Sequence, residues 1–185
     1  MSTVLHPGHE QLASSLAKAM SGHVELTVAD LPENTEVGVR LELIDGSLYV
    51  NALADFDHQD LVSDLVARLR PVTPEGMRVL AGVNVIDGPS TLVEPDVAVV
   101  DPACVTADRR GVSPAGVLLA VEVTSRSTRR RDFTIKRDLY QGWSVPYLLV
   151  DRSTRPFTLH VAGSVPAWAK PVVDGIDDLL QHHAG

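Results

Sequence analysis

Apolar residues change their period along this chain, and each change marks an element. Between His9 and Met20, Leu12, Leu16, Ala19 and Met20 fall on one helical face, and Gly22 offers a stop. From Val39 to Val50 the period drops to two. There VRLELI and SLYV flank Asp45-Gly46, a dipeptide suited to the positive φ angles of a two-residue hairpin turn. Pairing across that turn sets Leu43 against Leu48 and Glu42 against Tyr49. Leu41, Leu43, Leu48 and Val50 then form the expected core face, with Glu42, Ile44, Ser47 and Tyr49 on the other. Helical spacing returns over His58 to Arg70, with Asp57 as the expected cap, Asp60 in the first turn and Pro71 beyond the end. Its stripe is Leu61, Val62, Leu65, Val66 and Leu69, and His58 lies on the same side one turn earlier.

Strand patterns follow at Arg78 to Val85, Leu92 to Val100 and Val117 to Thr124; the last is apolar on both faces, which places it inside a sheet. Ser127 or Thr128 is positioned to cap a helix over Asp132 to Gln141, which Gly142 ends. Val145 to Asp151 and Phe157 to Val161 read as closing strands, and the tail carries a short helix at Ile176 to His182. This order of helices, hairpin and strands predicts an α/β or α+β domain, a mixed sheet flanked by helices. The expected organisation is a single domain: an N-terminal helix packing on the core over 1–24, the main body over 25–163, and a tail over 164–185.

Two carboxylates break the apolar pattern. Glu122 interrupts LLAVEVTS, and Asp96 opens the run Val97, Ala98, Val99, Val100 directly after Pro95. An ionised acid in such a strand loses its hydration at a cost of several kcal/mol unless a cation or a set of donors replaces the water. Two acids at the ends of short apolar strands suit a hard divalent cation, which takes carboxylate oxygens. The pair is therefore the expected active centre.

Charge and composition narrow the picture further. The 185 residues are 44% hydrophobic and 22% charged, an ordinary globular balance for one sizeable core. A net charge of −8 argues against a surface that grips nucleic acid throughout, yet Arg126, Arg129, Arg130, Arg131 and Arg137 crowd the segment after Glu122. As a solvated face these would pair with Asp132 and Asp138. The single Cys104 excludes an internal disulfide, no secretory leader opens the chain, and the apolar run Val117 to Val121 is far below the roughly 20 residues of a membrane helix. A cytoplasmic protein with no membrane partner is expected. A Ser-His-Asp set can be written from Ser125, His58 and Asp96, but no GxSxG elbow accompanies it. No GxxxxGK[ST] loop or zinc-type Cys pair is present either.

The hairpin LELIDGSLYV, the helix opening HQDLVSDLV, the strand EPDVAVVD and the block VEVTSRSTRRRDFTIKRDLYQGWSVPYLLVD together resemble the Uma2 family, described as restriction endonucleases within the PD-(D/E)XK nuclease superfamily. The resemblance covers roughly Glu25 to His160. It implies a restriction-endonuclease-like core, a central mixed sheet flanked by helices, and hydrolysis of DNA phosphodiester bonds with Mg2+ or Mn2+. By that resemblance Asp96 matches the metal-binding aspartate and Glu122 the acid of the second half-motif, with the Val123 carbonyl as a further ligand. The superfamily's lysine would stand at Thr124. The family instead has a lysine on the following helix, which corresponds to Lys136, four residues before Tyr140 and on the same face. Glu42 matches the acid of the family's ELIDG hairpin and joins the expected site, with His58 and Tyr140 as neighbours. Arg126, Arg129, Arg130 and Arg131 are the expected DNA contacts, and a homodimer is an admissible assembly. The alternative is a nuclease-fold module that binds nucleic acid or a protein partner without cleaving, which the absence of lysine at position 124 favours.

Overall fold

A computed structural model of the chain describes residues 7–21, 25–32, 39–125 and 128–184. In chain order the elements are α1 (Pro7–Ser21), β1 (Arg40–Ile44), β2 (Ser47–Asn51), α2 (Phe56–Leu69), β3 (Arg78–Ala81), β4 (Val85–Asp87), β5 (Thr91–Val93), β6 (Val97–Val100) and β7 (Val117–Val123). Then come α3 (Arg129–Arg131), a π-helical segment (Asp132–Lys136), α4 (Arg137–Gly142), β8 (Tyr147–Asp151), β9 (Thr158–Ala162), α5 (Lys170–Asp174) and α6 (Ile176–Ala184). The class is mixed α/β, as the pattern predicts. Two compact units are present, Met1–Leu53 with Ile86–Val93, and Ala54–Val85 with Glu94–Gly185.

The first unit holds a four-stranded sheet of order β2-β1-β5-β4. Its hairpin has the expected register, Leu43 opposite Leu48 and Glu42 opposite Tyr49, and Asp45 and Gly46 both take positive φ. The expected faces need correction. Leu43 joins Leu26, Val28, Leu31 and Leu92 in a small core, but Val50 is exposed, while Glu42 and Ile44 on the opposite face are buried. β1 is an inner strand covered on both sides, so burial there does not follow simple alternation. The face expected to bury α1 also differs: Leu16, Ala19 and Met20 are exposed. Contact is polar instead, through the Gln11 amide donating to the Leu31 carbonyl at 2.9 Å, buried Ser15, and the Lys18–Asp30 ion pair. Gly22, the expected stop, lies outside the described residues.

The second unit is built on a five-stranded sheet, β3-β6-β7-β8-β9, antiparallel except for the parallel β7–β8 pair. β7, apolar on both faces, is its central strand. One face, including Val97, Val99, Leu119, Val121, Val123, Leu148 and Val150, packs on Leu61, Val62, Leu65 and Leu69 of α2 and on the last two helices. The segment expected to be a tail thus supplies Ala169, Val172, Ile176, Leu179 and Leu180 to this core. The other face of the sheet meets α3, the π segment and α4, where Tyr140 stacks on Tyr147 of β8 with centroids 4.9 Å apart.

Two expected strands are each split. Arg78 to Val85 breaks after β3, where Gly82 turns at φ +62°, and Leu92 to Val100 breaks at Glu94-Pro95-Asp96. β3 and β6 stay in the five-stranded sheet, whereas β4 and β5 belong to the other. A side chain would be strained there by the positive φ, while the Glu94 carboxylate 2.8 Å from the place of a Cβ is the mobile end of its side chain. The cap of α2 is also shifted. Asp55, in extended conformation, accepts from the His58 N–H at 2.8 Å, which leaves Asp57 inside the first turn. The helix over 129–142 starts without a side-chain cap from Thr128, whose hydroxyl accepts from the Ser125 N–H at 3.1 Å; Ser127 lies outside the described residues.

Candidate active site

Local sequence explains how each acid reaches its place. Pro95 cannot donate to a ladder, so the chain enters β6 only after it, and Asp96 sits at the strand's open end. β6 pairs with β7 in an antiparallel register that sets Val97 against Val121, and Asp96 and Glu122 are the residues next beyond that pair on the two strands. Both acids are buried, at 5% and 3% exposure, so each needs compensation from the protein.

The compensation is specific. Asp96 Oδ2 accepts the Val123 N–H at 2.8 Å, and Oδ1 lies 3.1 Å from His58 Nε2. Glu122 forms an ion pair with Lys136 Nζ, and that lysine is itself 2% exposed. A buried carboxylate and a buried ammonium offset each other's lost hydration, and removing either leaves the other badly solvated. Lys136 closes the π segment, in which Asp132 and Lys136 are buried, and Tyr140 is buried one further step of four along the chain. π-helical turns occur often at functional sites. Here the π segment and α4 together bury three polar side chains spaced by four.

Asp132, which a solvated basic face would have left at the surface, is 1% exposed, and its backbone carbonyl accepts from the Tyr147 hydroxyl at 3.1 Å. Spacing was the available signal, since Asp132 precedes Lys136 by the same four residues that separate Lys136 from Tyr140. Burial raises the Tyr147 phenol well above its ordinary value, and the charges of Glu122, Asp132 and Asp96 raise it further, so it stays protonated. Asp138 does pair with Arg137, at 3.0 Å.

Thr124, at the position where the superfamily pattern has lysine, is buried and structural. Its hydroxyl accepts from the Arg152 N–H at 3.0 Å. Next to it, burial alone would raise the Asp151 carboxyl, but the Arg129 guanidinium and the Ser153 N–H together hold it well below the usual carboxylate range. Arg129 reaches Asp151 Oδ2 at 2.8 Å and lies 4.6 Å over the Phe133 ring, so much of its charge is committed within the fold. Arg130 is exposed, Arg131 is half-buried, and Arg126 lies outside the described residues.

Glu42 belongs to the first unit, 2% exposed, where it accepts from the Asn51 amide at 3.0 Å. The Ser125 hydroxyl is 3.0 Å from that of Thr128, while His58 serves Asp96, which does not make a hydrolase triad. Among the described residues no three His, Cys, Asp or Glu side chains form a metal cage. The donors present still fit one ion type: Mg2+ is bound through one or two carboxylates and keeps several waters, and Mn2+ suits the same oxygen ligands. Among the described residues no helix is long and apolar enough to cross a membrane.

Residues 27–184 match the sequence model of Uma2, a family whose description reads "Putative restriction endonuclease". No curated protein matches the chain. Among solved structures, the crystal structure of "a putative nuclease belonging to DUF820" from Anabaena variabilis ATCC 29413 aligns with a TM-score of 0.64. The alignment covers 84% of this chain and 99% of that one at 15% identity, a likeness of fold.

Proposed function

Because this chain belongs to the Uma2 family over residues 27–184, we propose that it is a nuclease that hydrolyses DNA phosphodiester bonds with Mg2+ or Mn2+ held by Asp96 and Glu122. The observation that carries this reading is the buried Glu122–Lys136 pair, next along β7 to Val123, whose N–H donates to Asp96. A lysine two residues after the acid is absent, and Lys136 on the neighbouring helix brings an ammonium to the same carboxylate.

Each residue has a distinct task. Asp96 offers the ion oxygens that are already oriented by Val123 N–H and His58. The Val123 carbonyl points to the same strand edge as its N–H, toward Asp96, which makes it the natural third oxygen. Lys136, held against Glu122, orients the attacking water with its ammonium or offsets charge growing on the phosphate. When bound, the ion supplies Lewis-acid polarisation and a lowered pKa for the attacking water. Arg130 and Arg131 supply phosphate contacts beside the site.

The test is cleavage of double- and single-stranded DNA with Mn2+ by the parent, Asp96→Asn and Lys136→Met. The expected result is loss of cleavage in Asp96→Asn and a fall of about 10²–10³-fold in Lys136→Met, the scale for removing one donor that acts on the transition state. A folded parent that binds DNA yet cleaves no substrate with either ion would replace this reading with that of a non-cleaving binding module.

A further inference from the structure

From the geometry around Asp96 we infer that His58 is a positioning residue, which sets the orientation in which Asp96 receives the divalent ion. The inference rests on the ion site proposed above. His58 is 5% exposed, and its Nε2 lies 3.1 Å from Asp96 Oδ1. The other oxygen, Oδ2, takes the Val123 N–H at 2.8 Å. A carboxylate held by one donor can still rotate about its Cβ–Cγ bond; with one donor on each oxygen its plane is defined. The directions in which the two oxygens offer electron pairs to an ion are then fixed. To donate to Asp96, the His58 ring must carry its hydrogen on Nε2.

The helix start that carries His58 is itself held in place. His58 occupies the first turn of α2, where its N–H donates to Asp55 Oδ1 at 2.8 Å. The same Asp55 oxygen accepts from Arg152 Nη1 at 3.1 Å, and the Arg152 N–H donates to Thr124 Oγ1 at 3.0 Å. Thr124 lies two residues after Glu122 on β7. A closed circuit of bonds therefore runs from Asp96 through His58, Asp55, Arg152 and Thr124 back along β7 to Val123, which holds the second oxygen of Asp96. This gives position 124 a task that a lysine would not perform: its hydroxyl anchors the residue that fixes the helix start carrying His58.

Groups that orient metal-binding carboxylates matter nearly as much as the ligands, and their loss costs about 10–100-fold in metal affinity. The experiment is calorimetric titration of Mn2+ into the full chain, for the parent, His58→Ala and His58→Gln, with circular dichroism on each. The glutamine amide reaches about as far as Nε2 and can donate in its place. Expected is a Kd about 10–100-fold higher for His58→Ala, with most of the affinity restored in His58→Gln. A second measurement needs no variant: imidazole 15N spectra of the parent with Mg2+ should show His58 carrying hydrogen on Nε2. An Nε2 without hydrogen in the Mg2+-loaded parent would mean that His58 does not donate to Asp96 and would overturn the positioning role. Equal Mn2+ affinity in a folded His58→Ala would overturn it while leaving the ion site standing. A parent that takes up no Mn2+ at all would overturn both the ion site and the inference drawn from it.

Discussion

At the scale of single residues, the chemistry turns on buried charges that exist only because partners were brought to them. Glu122 and Lys136 are 14 positions apart in the chain and share an ion pair at 3% and 2% exposure. Breaking such a pair from one side costs roughly 3–5 kcal/mol, because the remaining charge stays buried. Lys136→Met should therefore lower stability by about that amount, and adding Glu122→Gln should recover part of the loss; urea unfolding of the parent, both single variants and the double would show the coupling. If the single effects simply add, the two groups do not depend on each other. Asp151 gives a pH dependence. Its folded-state carboxyl is held well below the ordinary value by Arg129 and Ser153, so it contributes stability above that ordinary value, about 3.9, and loses it as the pH falls toward the folded value. Arg129→Ala should move the midpoint of acid unfolding to higher pH, while a variant at exposed Arg130 should leave it in place. The acids themselves were legible as polar breaks in apolar strands, but their partners were not, since no short-range pattern says which cation folds back onto which carboxylate.

At the scale of elements, hydrophobic period located nearly every helix and strand, and errors fell at the ends. Asp55, not Asp57, caps α2, because it is the residue whose extended backbone lets the side chain reach the N–H three positions on. Both aspartates precede the stripe, and period alone does not choose between them. Asp55→Ala should cost about 1 kcal/mol in thermal or urea unfolding, the usual value of a lost cap, and Asp57→Ala should stay within about 0.5 kcal/mol. Equal effects would mean that the cap bond contributes little. The two split strands share a different cause. A strand pattern of eight or nine residues does not reveal that the chain leaves one sheet and joins another within it; Gly82 and Pro95 were the only local signs, and a glycine in a strand pattern is as compatible with a bulge as with a break. The π segment was invisible for the same reason, since a single residue of extra length in a helix hardly alters its hydrophobic period.

At the scale of the whole molecule, the C-terminal residues change from an appendage to part of the core. Val172, Ile176, Leu179 and Leu180 are all buried within the main cluster of the second unit. Burying side chains of this size contributes roughly 1.5–3 kcal/mol each, so the four together rival the roughly 5–15 kcal/mol of net stability that domains possess. A chain ending at residue 163 should accordingly lose its cooperative thermal transition by circular dichroism; a sharp transition at an unchanged temperature would mean that the last helices are dispensable. What the sequence by itself determined was local: the hairpin register, the type and order of most elements, β7 as an interior strand, and a pair of acids too costly to bury without a purpose. These follow from backbone sterics, side-chain period and hydration, which act over a few residues. The tertiary structure alone decided which strands leave one sheet for the other, that Thr124 anchors Arg152 while Lys136 meets Glu122, that His58 holds Asp96, and that Asp132 turns inward. Those outcomes depend on contacts between residues tens of positions apart, where the free energy of burying one group is set by whichever distant partner the fold delivers to it.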